Sequence, residues 1–200
     1  MTVLIIGLIL FLGIHSVRLL GIREFLLALF GDGLYMVIYS IISTIGLVFI
    51  VYGHILAHPS EVLWYPPELG REVALIAMPI AFILLIATYV PSHIRSIIRH
   101  PMMLATVLWS GSHVAANGTL AGTVLFGSFF AWSVLASIQA YARGGTFKHS
   151  GGFFSDLIVI VVGLAAAALV AHFHMNIFGV AVFDVASKLG EWGILPIEAP

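Results

Sequence analysis

An all-helical membrane protein is the fold class that the sequence predicts, and three observations predict it. Hydrophobic residues make up 61% of the 200 residues and charged residues only 8%, whereas a soluble domain has roughly 45–50% apolar and about 25% charged residues. The mean hydropathy is +1.13. The apolar residues also form runs close to the roughly 20 residues that a helix needs to cross hydrocarbon. We therefore expect a polytopic transmembrane helix bundle of about six spans.

Six apolar runs are the candidate spans, and residues typical of interfaces or turns separate them. The first run lacks a preceding basic segment and a small-residue cleavage site, so we expect a retained helix and not a signal peptide. Ile22–Phe30 is interpreted as a short interfacial segment that ends at Gly31. Asn117 and Gly118 are predicted to join the fourth and fifth spans in a tight hairpin. The predicted spans are Thr2–Leu20, Leu34–Gly53, Val73–Val90, Met102–Ala116, Leu120–Ala142 and Phe153–Phe173.

The last span carries a stripe of small residues. Gly163, Ala167 and Ala171 recur at every fourth position, and such a face lets another helix approach closely within a membrane. After Met175 the apolar residues become isolated. The sequence therefore predicts one transmembrane domain over residues 1–175 and a tail over 176–200 that lies at the surface.

Basic residues are concentrated in alternate loops. The loops after spans one, three and five carry six of them, and the opposite side carries only Arg71 and Lys188. Cytoplasmic loops are enriched in Lys and Arg, so this bias predicts that the first set is cytoplasmic and that both termini are outside. The first set is Arg18, Arg23, Arg95, Arg99, Arg143 and Lys148.

Composition also excludes several kinds of chemistry. The chain has no cysteine, which excludes disulfides, cysteine-ligated iron–sulfur clusters, thiolate haem ligation and thiol catalysis. The net charge is -1 and no basic stripe is present, so no nucleic-acid partner is expected. The bilayer itself is the expected partner.

Two histidines, His15 and His113, lie inside apolar runs, where an ionisable side chain is costly unless it is bound or paired. Counted at about 1.5 Å per residue, His15 lies roughly 8 Å and His113 roughly 17 Å from the inner boundary. Two neutral imidazoles on opposite faces of a haem would account for both positions. Arg18, with Arg95 or Arg99, is then a candidate partner of the propionates. The alternative is that each imidazole donates to a helix carbonyl or to a neighbouring hydroxyl, and the spacing alone leaves both open.

The other histidines have simpler interpretations. Arg99-His100-Pro101 is most simply a basic loop with proline in the first turn of a helix, where proline is tolerated. The pairs His54/His58 and His172/His174 lie at span ends and lack an obvious third ligand nearby, which a zinc site would need.

Several short stretches, taken together and in order, resemble the NnrU family of bacterial membrane proteins along nearly the whole chain. The resemblance implies a multi-pass protein of the bacterial inner membrane, linked to denitrification and nitric-oxide metabolism, and the termini that the charge bias places outside are then expected to be periplasmic. The stretches are Phe11-Leu12-Gly13-Ile14-His15-Ser16-Val17-Arg18, Leu63-Trp64, Pro66-Pro67, Arg99-His100-Pro101, Leu108-Trp109, His113, Ala116-Asn117-Gly118 and Phe178-Gly179-Val180.

The NnrU family is related to plant 15-cis-ζ-carotene isomerase, a membrane enzyme that carries haem b between two axial histidines. That enzyme isomerises a central cis double bond when its iron is reduced. The positions that match its ligands are His15 and His113. The resemblance therefore implies haem b as cofactor, and nitric oxide or a hydrophobic small molecule such as a polyene as ligand.

A second resemblance is to membrane isoprenylcysteine carboxyl methyltransferases, which share the Arg-His-Pro signature. They follow it with Tyr and Gly, where this chain has Met103 and Ala105, and no Glu-Glu pair occurs here. Two alternatives to a haem protein thus stay open: a methyltransferase-like membrane enzyme, and a non-catalytic membrane factor that supports a respiratory complex.

The orientation is testable with fused reporters. A reporter placed after Lys148 should behave as cytoplasmic and one placed after Pro200 as periplasmic, because six of eight basic residues lie on one side. Alkaline phosphatase and fluorescent-protein fusions measure the two locations. The reverse pattern would contradict the predicted orientation.

Overall fold

A computed structural model describes residues 1–144, 151–180 and 182 of the protein. Almost all of the regular structure in these residues is helical. Within these residues the chain forms seven helices and no strand, apart from an isolated bridge between Val62 and Thr119. The all-helical fold class is confirmed. The helices are α1 (Thr2–Ser16), α2 (Arg23–Leu56), α3 (Glu68–Ala87), α4 (His93–Ile98), α5 (Pro101–Ala116), α6 (Leu120–Ala142) and α7 (Phe153–Phe178).

Four of these helices, α2, α3, α6 and α7, are long and apolar enough to cross a membrane. The prediction of about six spans exceeds this number. The two remaining predicted spans are α1, with 15 residues, and α5, with 16 residues, both below the roughly 17 residues of the shortest typical span. Proline starts α5 and the Asn117 turn ends it, so it cannot lengthen. The two short helices are those that carry His15 and His113.

The end of α1 follows from Gly21. The chain continues as a helical turn after Ser16, and Gly21 then adopts a left-handed conformation with φ 73°. The Ile22 N–H donates to the Val17 carbonyl and the Gly21 N–H to the Arg18 carbonyl, which is the Schellman arrangement that closes a helix. The chain therefore turns at the position where the first span was predicted to end.

A second break lies inside α2, at Gly31. Its φ of 70° and ψ of 165° are not helical, so Arg23–Phe30 forms a short helical segment before the long one. This confirms the separate segment predicted for Ile22–Phe30. The long part of α2 ends at Leu56, three residues beyond the predicted Gly53, because no helix-breaking residue occurs before Pro59.

The α5–α6 turn forms the predicted tight hairpin. The Asn117 Oδ1 accepts hydrogen bonds from the backbone N–H (3.0 Å) and the hydroxyl (2.7 Å) of Thr119. The Thr119 hydroxyl oxygen in turn accepts from the Gly122 N–H and caps α6. The preceding long loop is attached here as well, because the Leu63 N–H donates to the Gly118 carbonyl.

Helix α6 joins two groups of helices. It packs against α1 and α2 on one side and against α5 on another, while α3 packs against α5 and α7. The buried cluster at the meeting of α1, α2 and α6 contains Leu4, Leu8, Ile50, Ala57, Ala121, Leu125 and Phe129.

The loops predicted to be cytoplasmic lie at one end of this bundle. The Arg143 guanidinium donates to the Arg18 carbonyl at 2.7 Å, which joins the end of α6 to the end of α1. The His93 Nδ1 lies 2.6 Å from the Asp156 Oδ2, which joins the start of α4 to the start of α7. Lys148 lies outside the described residues.

Helix α7 ends at Phe178, five residues beyond the predicted Phe173. No helix breaker occurs before Gly179, whose φ of 71° ends the helix. The predicted domain boundary at residue 175 therefore falls within α7. Of the predicted tail, residues 181 and 183–200 lie outside the described residues.

The small-residue stripe of α7 faces α3, as the sequence suggested. A Cβ atom added at Gly163 would lie 2.7 Å from the Ile83 Cα atom, and Ala167, one turn later, is also buried. Only a residue without a side chain permits this approach of the two backbones.

Gly163→Leu should therefore separate α3 from α7 and lower the melting temperature of the protein in detergent. Ala165→Leu is the matched control, because Ala165 lies on the exposed face of the same helix and the change adds a similar volume. A thermal unfolding assay followed by size-exclusion chromatography measures both variants. Equal stability of Gly163→Leu and the parent would contradict the close packing at Gly163.

Candidate functional site

His15 lies in the last turn of α1 and is only partly accessible. Its Nδ1 is 2.7 Å from the Phe11 carbonyl oxygen. A carbonyl can only accept a hydrogen bond, so Nδ1 is the protonated nitrogen of the neutral ring and Nε2 keeps its lone pair. The imidazole stacks on the Phe11 ring at 4.2 Å and lies 5.3 Å from Tyr39 and 6.0 Å from Trp132.

His113 repeats this local arrangement on α5. Its Nδ1 is 2.7 Å from the Trp109 carbonyl oxygen, again four residues earlier, so Nε2 is again the nitrogen with the lone pair. The imidazole lies 4.7 Å from the Phe126 ring and 5.9 Å from the Trp109 ring. Each histidine thus has an aromatic residue at position i−4 whose carbonyl fixes its tautomer.

Both histidines contact α6 through a row of aromatic residues. Phe126, Phe129 and Trp132 recur at every third position and so follow one another along the helix. His113 contacts the first of them and His15 the last. Phe129, in the middle, contacts Phe11 at 5.7 Å and Trp109 at 5.2 Å. We call Phe11, Trp109, Phe126, Phe129 and Trp132 the aromatic row.

The two imidazoles are displaced from one another along α6. Their contact residues are six positions apart, which corresponds to about 9 Å along the helix axis and agrees with the offset counted from the sequence. Within the described residues no contact joins the two imidazoles directly, and they are connected through Phe11, Phe129 and Trp109. Two imidazole nitrogens on opposite sides of one metal would lie about 4 Å apart, because each bond is about 2 Å, so these side chains would have to move before one metal could take both.

The chemistry of the two side chains fits a haem iron. Both offer Nε2 from a neutral ring, as an iron–imidazole bond requires, whereas the Phe129 and Trp109 side chains lie between the two rings. The described residues contain no group of three His, Cys, Asp or Glu side chains able to hold a metal ion by themselves. A two-ligand site therefore needs a cofactor that supplies the remaining ligands.

The arginines predicted to pair with propionates lie in two places. Arg18 follows His15 by one turn, and its backbone carbonyl accepts the hydrogen bond from Arg143. Arg95 and Arg99 lie at the junction of α4 and α5, where they line a groove together with His100. The structure thus brings Arg95, Arg99 and His100 together and places Arg18 in the turn that follows the helix of His15.

The remaining histidines make contacts of their own, and one of them, His174, also lies near enough to His113 to interact with it electrostatically. His58 donates from Nδ1 to the His54 carbonyl at 2.8 Å, and the two rings are 4.6 Å apart. The His172 ring contacts Phe173, and the His174 Nδ1 lies 2.7 Å from the Val180 carbonyl.

Sequence reasoning missed the polar contacts that fix α1 against α6. The Trp132 indole N–H donates to the Ser16 hydroxyl at 3.1 Å, directly beside His15. The Gln139 amide donates to the Leu19 carbonyl at 2.7 Å. These residues are more than 100 positions apart in the chain, so no local pattern indicates the pairing. The recurrence of aromatic residues at every third position of α6 was the available signal.

A family model described as NnrU protein matches residues 3–182. In comparisons with curated proteins and with solved structures, nothing matches the chain. The match to the family model includes both imidazoles, the aromatic row and the groove at Arg95, Arg99 and His100.

Proposed function

This chain belongs to the NnrU family, and from that premise we propose that it is a membrane protein that binds haem b through His15 and His113. We assign it to nitric-oxide metabolism in denitrifying bacteria or to cis–trans isomerisation of a hydrophobic polyene. One observation carries the proposal. His15 and His113, each in the last turn of a short apolar helix, both donate Nδ1–H to a carbonyl at i−4 and both keep Nε2 for a ligand.

The unused nitrogen of each ring supports this assignment. One hydrogen bond to a carbonyl satisfies only one of the two polar nitrogens of an imidazole, and no hydrogen bond within the described residues engages the Nε2 of either ring. Neither Nε2 is among the fully buried unpaired atoms of the described residues, which are His54 Nδ1 and Thr123 Oγ1, so both lone pairs stay accessible to a metal.

Haem binding requires a rearrangement along α6. Phe129 and Trp109 lie between the two imidazoles, so their side chains would turn aside and provide apolar contacts to the porphyrin faces. Aromatic side chains suit this role because offset stacking against a flat ring is favourable. Arg18 is the propionate partner that we favour, since it lies one turn from His15 at the end where the basic loops meet.

The bound haem would supply an iron that takes up nitric oxide or changes redox state. In that assembly the protein would hold both imidazoles in one tautomer and keep water away from them. His15 and His113 would hold the iron, and uptake of a gaseous ligand would require one of them to give way. His15 is the candidate, because it is the penultimate residue of α1 and lies next to the turn at Gly21.

Absorption spectroscopy tests the proposal. Protein produced with ample haem should show a Soret band and, when reduced, the spectrum of low-spin haem b. His15→Ala and His113→Ala should each lose most of the bound haem, because one imidazole alone leaves the iron half held. His100→Ala is the matched control and should retain haem, since His100 lies at the α4–α5 junction.

Two outcomes would contradict the assignment. Wild-type protein without Soret absorbance would exclude the cofactor and leave the methyltransferase-like and non-catalytic alternatives. Loss of haem in His100→Ala, with retention in the other two variants, would move the site to the Arg99-His100-Pro101 turn. Replacement of Arg18 by Gln should weaken haem retention more mildly, by about 1–3 kcal/mol for a charge-assisted hydrogen bond.

A further inference from the structure

A second polar site lies at the junction of α4 and α5. A groove of about 160 Å³ opens between the end of α3 and the start of α5. It is lined by two cationic side chains, an imidazole and the first turn of α5, and no acidic residue takes part in its lining. The residues that matter here are Arg95, Arg99, His100, Met102 and Met103. We call this the α4–α5 groove.

The backbone at Arg99 adopts a conformation that side-chain-bearing residues rarely adopt. Its φ is 62° and its ψ is -43°, and the His100 N–H donates to the Ile98 carbonyl at 2.7 Å. This is a γ-turn of the strained kind. Among the described residues, Arg99 is the only residue other than glycine with a positive φ. Such strain persists where the surroundings enforce it, and it is common at functional sites.

Tyr141 of α6 enforces this turn from outside. Its hydroxyl donates to the same Ile98 carbonyl at 2.6 Å. The Arg99 guanidinium carbon lies 5.8 Å from the centre of the Tyr141 ring, and the His100 ring meets that ring edge-on at 5.1 Å. One side chain thus fixes both the backbone of the turn and the two basic side chains that flank the α4–α5 groove.

The groove combines the features that bind a phosphate group at a membrane surface. Arginine pairs with phosphate oxygens through parallel hydrogen bonds. The Met102 and Met103 side chains and Pro101 add an apolar wall beside the cations. The groove also lies at the end of the bundle where the basic loops meet, and α5 enters the apolar part of the bundle directly from it. Basic pockets between helices on the cytoplasmic side are typical sites for anionic headgroups.

We propose that the α4–α5 groove binds the headgroup phosphate of an anionic phospholipid, with Arg95 and Arg99 as its cationic contacts and Tyr141 as the residue that positions Arg99. The apolar wall favours a lipid over a free phosphate compound, because the wall would cover the glycerol and the first acyl carbons. The proposal does not depend on the haem site.

Native mass spectrometry of the full-length protein, released from nanodiscs of defined composition, measures lipid retention. Phosphatidylglycerol should be retained in preference to phosphatidylcholine. Arg95→Gln and Arg99→Gln should each lower phosphatidylglycerol retention about five-fold, the effect of one basic residue near an anionic surface. Arg23→Gln is the matched control and should change little, because Arg23 is an exposed arginine paired with Glu24.

Tyr141→Phe separates a built site from general surface charge. It keeps every cation but removes the hydroxyl that stabilises the strained turn, so the phosphatidylglycerol preference should fall while the net charge stays the same. If an arginine variant fails to fold, Tyr141→Phe still tests the proposal. An unchanged lipid preference in Tyr141→Phe would overturn the positioning role.

Three other results would overturn the lipid assignment. Equal loss of retention in Arg23→Gln would mean that the charge of the whole surface is responsible. Full displacement of the lipid by millimolar inorganic phosphate would indicate a soluble phosphate ligand. Loss of Soret absorbance together with lipid, in haem-loaded Arg95→Gln and Arg99→Gln, would assign the groove to the propionates. If these variants lose the lipid but keep the Soret absorbance, the proposal is supported. If the protein binds no haem at all, lipid retention alone decides the proposal.

Discussion

The need to satisfy polar groups away from water is the constraint on which the rest of this structure depends. Hydroxyl and imidazole side chains in the apolar helices donate to carbonyls of their own helix, as His15 does to Phe11 and Ser110 to Thr106. Water would otherwise compete for these donors, and hydrocarbon offers no alternative. For a hydroxyl this bond is sufficient. For an imidazole the same bond also decides which nitrogen keeps a lone pair. The carbonyl at i−4 therefore sets the tautomer of both candidate ligands.

Helix α6 contacts both candidate ligands. Its aromatic residues at 126 and 132 contact the two imidazoles, while Gln139 donates to the turn after α1 and Tyr141 donates to α4. One helix therefore holds the α1–α2 pair, the α5 hairpin and the basic end of the bundle. Each of the two histidines is held against a defined position on this one helix.

Local signals predicted much of this architecture, and partners distant in the chain limited the rest. The breaks at Gly21, Gly31 and Gly118 and the face around Gly163 follow from chemistry within a few residues, so the sequence reveals them. The length of α1 depends on which turn ends the helix, and the apolar run alone overestimates it. The pairing of Ser16 with Trp132, and of Ile98 with Tyr141, joins elements far apart in the chain, which no single sequence specifies.

The packing of α3 against α7 at Gly163 also sets an order of assembly during synthesis. The α1 and α2 helices are neighbours in the chain and can pair as soon as both have left the ribosome, as can α5 and α6. Among the described residues, α3 packs mainly against later elements, and this packing is complete once α7 has been inserted, roughly 90 residues further on by the chain numbering. In the nascent protein the α1–α2 pair is therefore expected to form early, and the packing of α3 against α5 and α7 to be completed last.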